Sequence, residues 1–86
     1  MTFYITIKSG YRNHTIKVKQ VYIDERIEQY DVIGRNKTIT LESNRPFFRN
    51  RGLKHRKPDW KIVAGDFFYN SGLGEISDAI MKEVDK

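Results

Sequence analysis

Tyr30-Asp31-Val32-Ile33-Gly34-Arg35-Asn36-Lys37-Thr38-Ile39-Thr40-Leu41-Glu42 is the stretch that decides the fold. Two runs of β-branched and aromatic residues flank a four-residue link holding both a Gly and an Asn, which tolerate the positive φ that hairpin turns need. From Thr38 to Glu42 the period is two, with Ile39 and Leu41 on one side and Thr38, Thr40 and Glu42 on the other. A link this short cannot cross over to a parallel neighbour, so the two runs form an antiparallel pair.

The same logic extends towards the N-terminus. Residues 27–33 read as the first arm of that hairpin, with Tyr30 and Val32 on one face and Ile27 and Ile33 on the other. Asp24-Glu25-Arg26 precedes them as a polar turn. Earlier, Ile16 and Val18 alternate with Lys17 and Lys19, while Val21 and Ile23 have the opposite parity. A bulge near Lys19-Gln20 would bring all four into the core; without one, both faces are partly covered there. Phe3, Ile5 and Ile7 alternate with Tyr4, Thr6 and Lys8 in a further strand, and Ser9-Gly10 and Asn13 punctuate the link between the two. Consecutive strands joined by short turns predict a meander.

Towards the C-terminus the pattern breaks at Ser43-Asn44-Arg45-Pro46. Residues 47–58 show neither clean alternation nor a helical period, and are expected to form a long ordered loop, a feature often tied to function. Trp60 to Ala64 predicts a fifth strand. Leu73, Ile76, Ile80 and Val84 then recur in steps of three and four, with Glu75, Asp78, Lys82 and Glu83 on the opposite side. That stripe predicts an amphipathic helix, entered at Asn70 or Ser71, lying on one face of the sheet. The expected fold is α+β: a mainly antiparallel meander of four to five strands packed against one C-terminal α-helix, in a single small globular domain over residues 1–86.

Charge is distributed unevenly along the chain. Residues 45–61 hold seven basic residues, Arg45, Arg49, Arg51, Lys54, Arg56, Lys57 and Lys61, and one acid, Asp59, for a net of +6. The other 69 residues hold nine basic and ten acidic groups, for a net of −1. A strip of this kind attracts polyanions, and four of its seven cations are Arg, whose planar fork matches a phosphate. Phe47, Phe48 and Trp60 lie among them, as stacking rings for bases if exposed or as anchors pinning the loop to the core. The expected function is non-catalytic binding of a polyanion, RNA or DNA first, through Arg45, Arg49, Arg51, Lys54, Arg56, Lys57 and Lys61. The alternative is a small protein–protein interaction module, contacting an acidic protein surface or forming a homodimer.

Other chemistries find little support. There is no cysteine, which removes disulfides, thiolate ligands and cysteine nucleophiles. His14 and His55 are the two histidines and lack any zinc-binding spacing, so neither a metal nor a cofactor is expected. No nucleophile-elbow or P-loop motif occurs, and no enzyme activity is expected. Asp24, Glu25, Glu28 and Asp31 cluster around a turn and read as solvated edge charges. No apolar run approaches the roughly 20 residues that span a bilayer, and the start of the chain alternates like a strand. A cytoplasmic location is the expectation that follows.

Overall fold

In the computed structural model, which describes residues 1–9, 11–34, 37–53, 56–65 and 73–84, five strands form one antiparallel sheet in the order of the chain. Strand β1 (Thr2–Ser9) pairs with β2 (Arg12–Ile23), setting Ile5 opposite Ile16 and Phe3 opposite Val18. β2 pairs with β3 (Glu28–Ile33), and β3 with β4 (Thr38–Ser43), where Tyr30 faces Leu41 and Val32 faces Ile39. The β3–β4 turn is closed by the Gly34 amide donating to the Lys37 carbonyl at 2.8 Å.

After β4 comes a short helix, α1 (Arg45–Asn50), then β5 (Trp60–Ala64) against β4, then α2 (Leu73–Val84). The structure is therefore α+β, with a five-stranded open sheet and a C-terminal helix packed on it. Within α2, Ile76 and Ile80 are buried and Leu73, Ala79 and Val84 pack against the core, while Glu75, Asp78 and Lys82 are exposed. Burying each of these isoleucines contributes about 1.5–3 kcal/mol. The helix contacts both edge strands, β1 and β5, and closes over Ile5, Ile7, Ile16, Val18, Val32, Ile39 and Leu41. No described helix is long and apolar enough to cross a membrane. The expected helix entry at Asn70 or Ser71 lies outside the described residues.

Two sequence expectations need correction. The bulge in β2 exists, since the register shifts between Gln20 and Tyr22. It does not bring Val21 and Ile23 into the core: they are 44% and 49% exposed, on the part of β2 that runs past the start of β1. The second correction concerns residues 47–58. The first part of this expected loop is helical, and its end signals were legible in retrospect. Pro46 sits in the first turn, where its missing N–H costs nothing. Gly52, at φ 71°, ends the helix, as its amide donates to the Arg49 carbonyl and the Leu53 amide to the Phe48 carbonyl. These two bonds are the Schellman closure that a glycine past the last turn permits. Six residues are too few to show a helical period, which is why the pattern reads as irregular.

Candidate polyanion interface

The base of the segment carrying the strip is held by a clasp between its two ends. Asn44 Oδ1 accepts from the Asp59 amide at 2.7 Å, the Asn44 amide donates to the Asp59 carbonyl, and Asn44 Nδ2 reaches Asp59 Oδ2. Pro46 and Pro58 are both buried, so the two prolines seat the ends of the segment against the body. From this base, α1 and the turn after it project the basic residues.

Arg45 does not belong to that surface. It is 8% exposed, and its Nε donates to Glu28 Oε2 at 2.6 Å while Nη2 donates to Oε1 at 2.8 Å. Tyr30 Oη donates to the same Oε1 at 2.6 Å and accepts from Gln20 Nε2 at 3.2 Å. The Arg45 amide donates to Ser43 Oγ, on the residue paired with Glu28 across the strands. Hydrogen bonds from Arg45 to Glu28 hold the guanidinium pKa above its usual value, and burial, then the bond to Glu28, raises that of the Tyr30 phenol. The expectation that Arg45 contacts an external anion is corrected accordingly: its fork is occupied by a buried carboxylate. Glu28 is corrected with it. The expected solvated edge charge is fully buried, because β3 is the central strand of five rather than an edge.

The rings take the anchoring role in part. Trp60 stacks on Tyr30, with centroids 6.0 Å apart and planes 28° from parallel, and Phe3 meets the other side of this cluster edge-on. Trp60 Nε1 is buried and has no hydrogen-bond partner among the described residues. Phe47 and Phe48 are half-buried and meet edge-to-face at 5.6 Å. Each carries an arginine: the Arg51 guanidinium lies 4.4 Å from the Phe47 centroid, and that of Arg56 lies 5.9 Å from the Phe48 centroid. Each ring thus has a cation near one face and stays half-buried.

Four cations remain displayed. Arg49, Arg51, Arg56 and Lys57 are exposed, and none forms a salt bridge among the described residues. A guanidinium has five N–H donors, and a ring contact leaves some of them available to an oxyanion. Beside Arg51, a shallow hollow is lined by Glu25, Arg26, Phe47 and Asn50, with Asn50 Nδ2 donating to the Glu25 carbonyl at 3.0 Å. Lys61 is exposed but pairs with Glu42 Oε2 at 3.0 Å across β4 and β5. Lys54 and His55 lie outside the described residues.

No family model matches the chain, and neither the curated proteins nor the solved structures give a significant match.

Proposed function

We propose that the protein is a non-catalytic polyanion-binding module whose ligand is nucleic acid, with Arg49, Arg51, Arg56 and Lys57 contacting phosphates. The observation that carries this reading is the pair of guanidiniums near Phe47 and Phe48, exposed and without carboxylate partners among the described residues. Side chains held in this way lose less conformational entropy on binding than free ones, so more of each phosphate contact survives as affinity. With phosphates as the partners of these cations, the contacts here are to the backbone of the nucleic acid and carry no sequence preference.

The test is a salt series on a fluorescent oligonucleotide. Neutralising four phosphates gives a slope of log affinity against log salt of about −2.8 on single strands and about −3.6 on duplex. The variant Arg49→Gln/Arg51→Gln/Arg56→Gln/Lys57→Gln removes most of that slope. Undetectable binding, or a slope untouched by this variant, defeats the reading.

A second reading, a homodimerising module, is favoured by the outer edge of β1, which pairs with no other strand among the described residues. That edge strand is eight residues long, contains no proline or bulge, and carries Lys8 as its one charge. Such an edge is a template for strand addition. The opposite edge, β5, is shorter and its register shifts against β4 between Thr40 and Leu41. Sedimentation velocity from micromolar to millimolar protein decides this; a monomer throughout excludes it.

A further inference from the structure

The sheet has a second face, turned away from α2, whose first two strands carry basic residues and no acid. Residues 1–23 contain Lys8, Arg12, Lys17 and Lys19 and no acid at all, a net of +4 hidden in the near-neutral total outside residues 45–61. The β1–β2 register determines where these residues lie. Ile5, Ile7, Ile16 and Val18 are buried on the inner face, so the pairs Thr2–Lys19, Tyr4–Lys17, Thr6–Thr15 and Lys8–Asn13 lie on the outer face. Tyr4 is 61% exposed there, directly opposite Lys17.

The remainder of this face is internally satisfied. Asp31 accepts from Thr40 Oγ1 at 2.7 Å, and Glu42 accepts from Gln29 and pairs with Lys61. Lys17 and Lys19 are exposed and form no salt bridge among the described residues, with Lys19 set opposite Asp31 in the register of β2 and β3. They are two apart on one strand, so their stems emerge about 6.7 Å from one another, comparable to the step between phosphates of an extended polynucleotide. Phe47, Phe48 and Trp60 are covered or stacked within the protein, whereas Tyr4 offers a ring to solvent beside unpaired ammonium groups.

We propose that the outer face of the β1–β2 hairpin binds single-stranded nucleic acid, with a base stacked on Tyr4 and the flanking phosphates on Lys17 and Lys19. This inference rests on nucleic acid being the ligand of the protein, and it adds a second surface to the α1 strip. The single strand follows from the ring: a flat sheet cannot stack on bases enclosed in a duplex, whereas single strands are held by aromatic rings among cations. The α1 strip then supplies electrostatic attraction, and the hairpin distinguishes a strand bearing bases from a bare chain of phosphates.

The experiment compares a fluorescein-labelled uridine 12-mer with inorganic polyphosphate as competitor, on the full chain. Tyr4→Ala weakens the 12-mer by about fivefold to 150-fold, the range for loss of one stacked base. Tyr4→Phe keeps the affinity, and polyphosphate competes equally well in all three proteins. Lys17→Gln/Lys19→Gln lowers the salt slope on the 12-mer by about 1.4. Amide shifts in a ¹⁵N spectrum fall on β1 and β2 as well as α1, and Tyr4 is exposed enough that its variants keep the wild-type spectrum elsewhere. Unchanged 12-mer affinity in Tyr4→Ala overturns the proposal, as does an equal loss for polyphosphate. The two surfaces fail separately. Loss confined to the four-residue α1 variant leaves the strip and removes the hairpin, and loss confined to Tyr4→Ala does the reverse. No binding of either probe removes both.

Discussion

Arg45 and Glu28, 17 residues apart in sequence, meet in a two-point ion pair of 2.6 and 2.8 Å in which the carboxylate is fully buried and the arginine nearly so. The pair ties the start of α1 to the central strand, so it orients the helix that carries Arg49 and leads into the turn bearing Arg51. Burying two charges is costly, and Tyr30 Oη, as a third donor, satisfies the remaining demand of the carboxylate.

Arg45→Ala leaves Glu28 charged and unpaired in the core. Its expected cost is about 3–5 kcal/mol in a urea melt. Arg45→Met/Glu28→Leu removes both charges and recovers most of that loss. If Arg45→Ala melts like wild type, the ion pair is not a structural tie.

Tyr30→Phe keeps the ring against Phe3 and Trp60 but strips a donor from Glu28 and an acceptor from Gln20. Hydrogen bonds to charged groups contribute about 1.5–3 kcal/mol, and a loss in that range is expected by the same melt.

Gly52 and Gly65 both have positive φ, at 71° and 82°, yet differ in their surroundings. A Cβ at Gly52 meets open space, so Gly52→Ala carries the left-handed penalty alone, about 1–2 kcal/mol. At Gly65 it would lie 2.6 Å from the Thr38 carbonyl oxygen and 3.1 Å from Ile39 Cα, so β4 must shift. Gly65→Ala therefore has the lower melting temperature of the two, and the reverse order would contradict the packing of β4 against the end of β5.

Acid sensitivity has two identified sources. The Asp24 carboxyl lies below its usual pKa because the Ile27 amide, the Tyr22 hydroxyl and the Arg26 amide donate to it. The Glu42 carboxyl is lowered by the Gln29 amide and by Lys61. A depressed carboxyl stabilises the fold above its unfolded pKa of about 4 and loses that contribution as pH falls through the lower folded value. Melting temperature is expected to be level between about pH 7 and 5 and to fall below about 4, with a shallower fall in Asp24→Asn and in Glu42→Gln. Unchanged acid slopes in both variants would remove these carboxylates as the cause.

Lys61→Ala breaks an exposed pair and should cost under about 1 kcal/mol. Because its partner is Glu42, the same variant leaves the salt slope of oligonucleotide binding nearly unchanged, unlike the loss of Arg51 or Arg56.

The sequence determined the strands, their antiparallel order and the C-terminal helix, because each rests on local periodicity and short links: Ile39 and Leu41 alternate, Gly34 to Lys37 turns the chain, and Ile76 and Ile80 recur on one helical face. It also determined that charge is segregated. Only the tertiary structure decided which of those charges are buried and which are displayed. Arg45 and Arg51 are chemically alike and six residues apart, yet one is locked to a carboxylate and the other is displayed on a ring, since burial depends on what the far chain brings to the same place. Glu28 read as an edge charge because strand order is not written in one strand's own pattern. The cations lying over Phe47 and Phe48 were likewise invisible in the sequence, because their positions depend on how the chain turns after α1. Tyr4, unremarkable in an alternating strand, became an exposed ring because register with β2 set it beside Lys17 on the face turned away from the core.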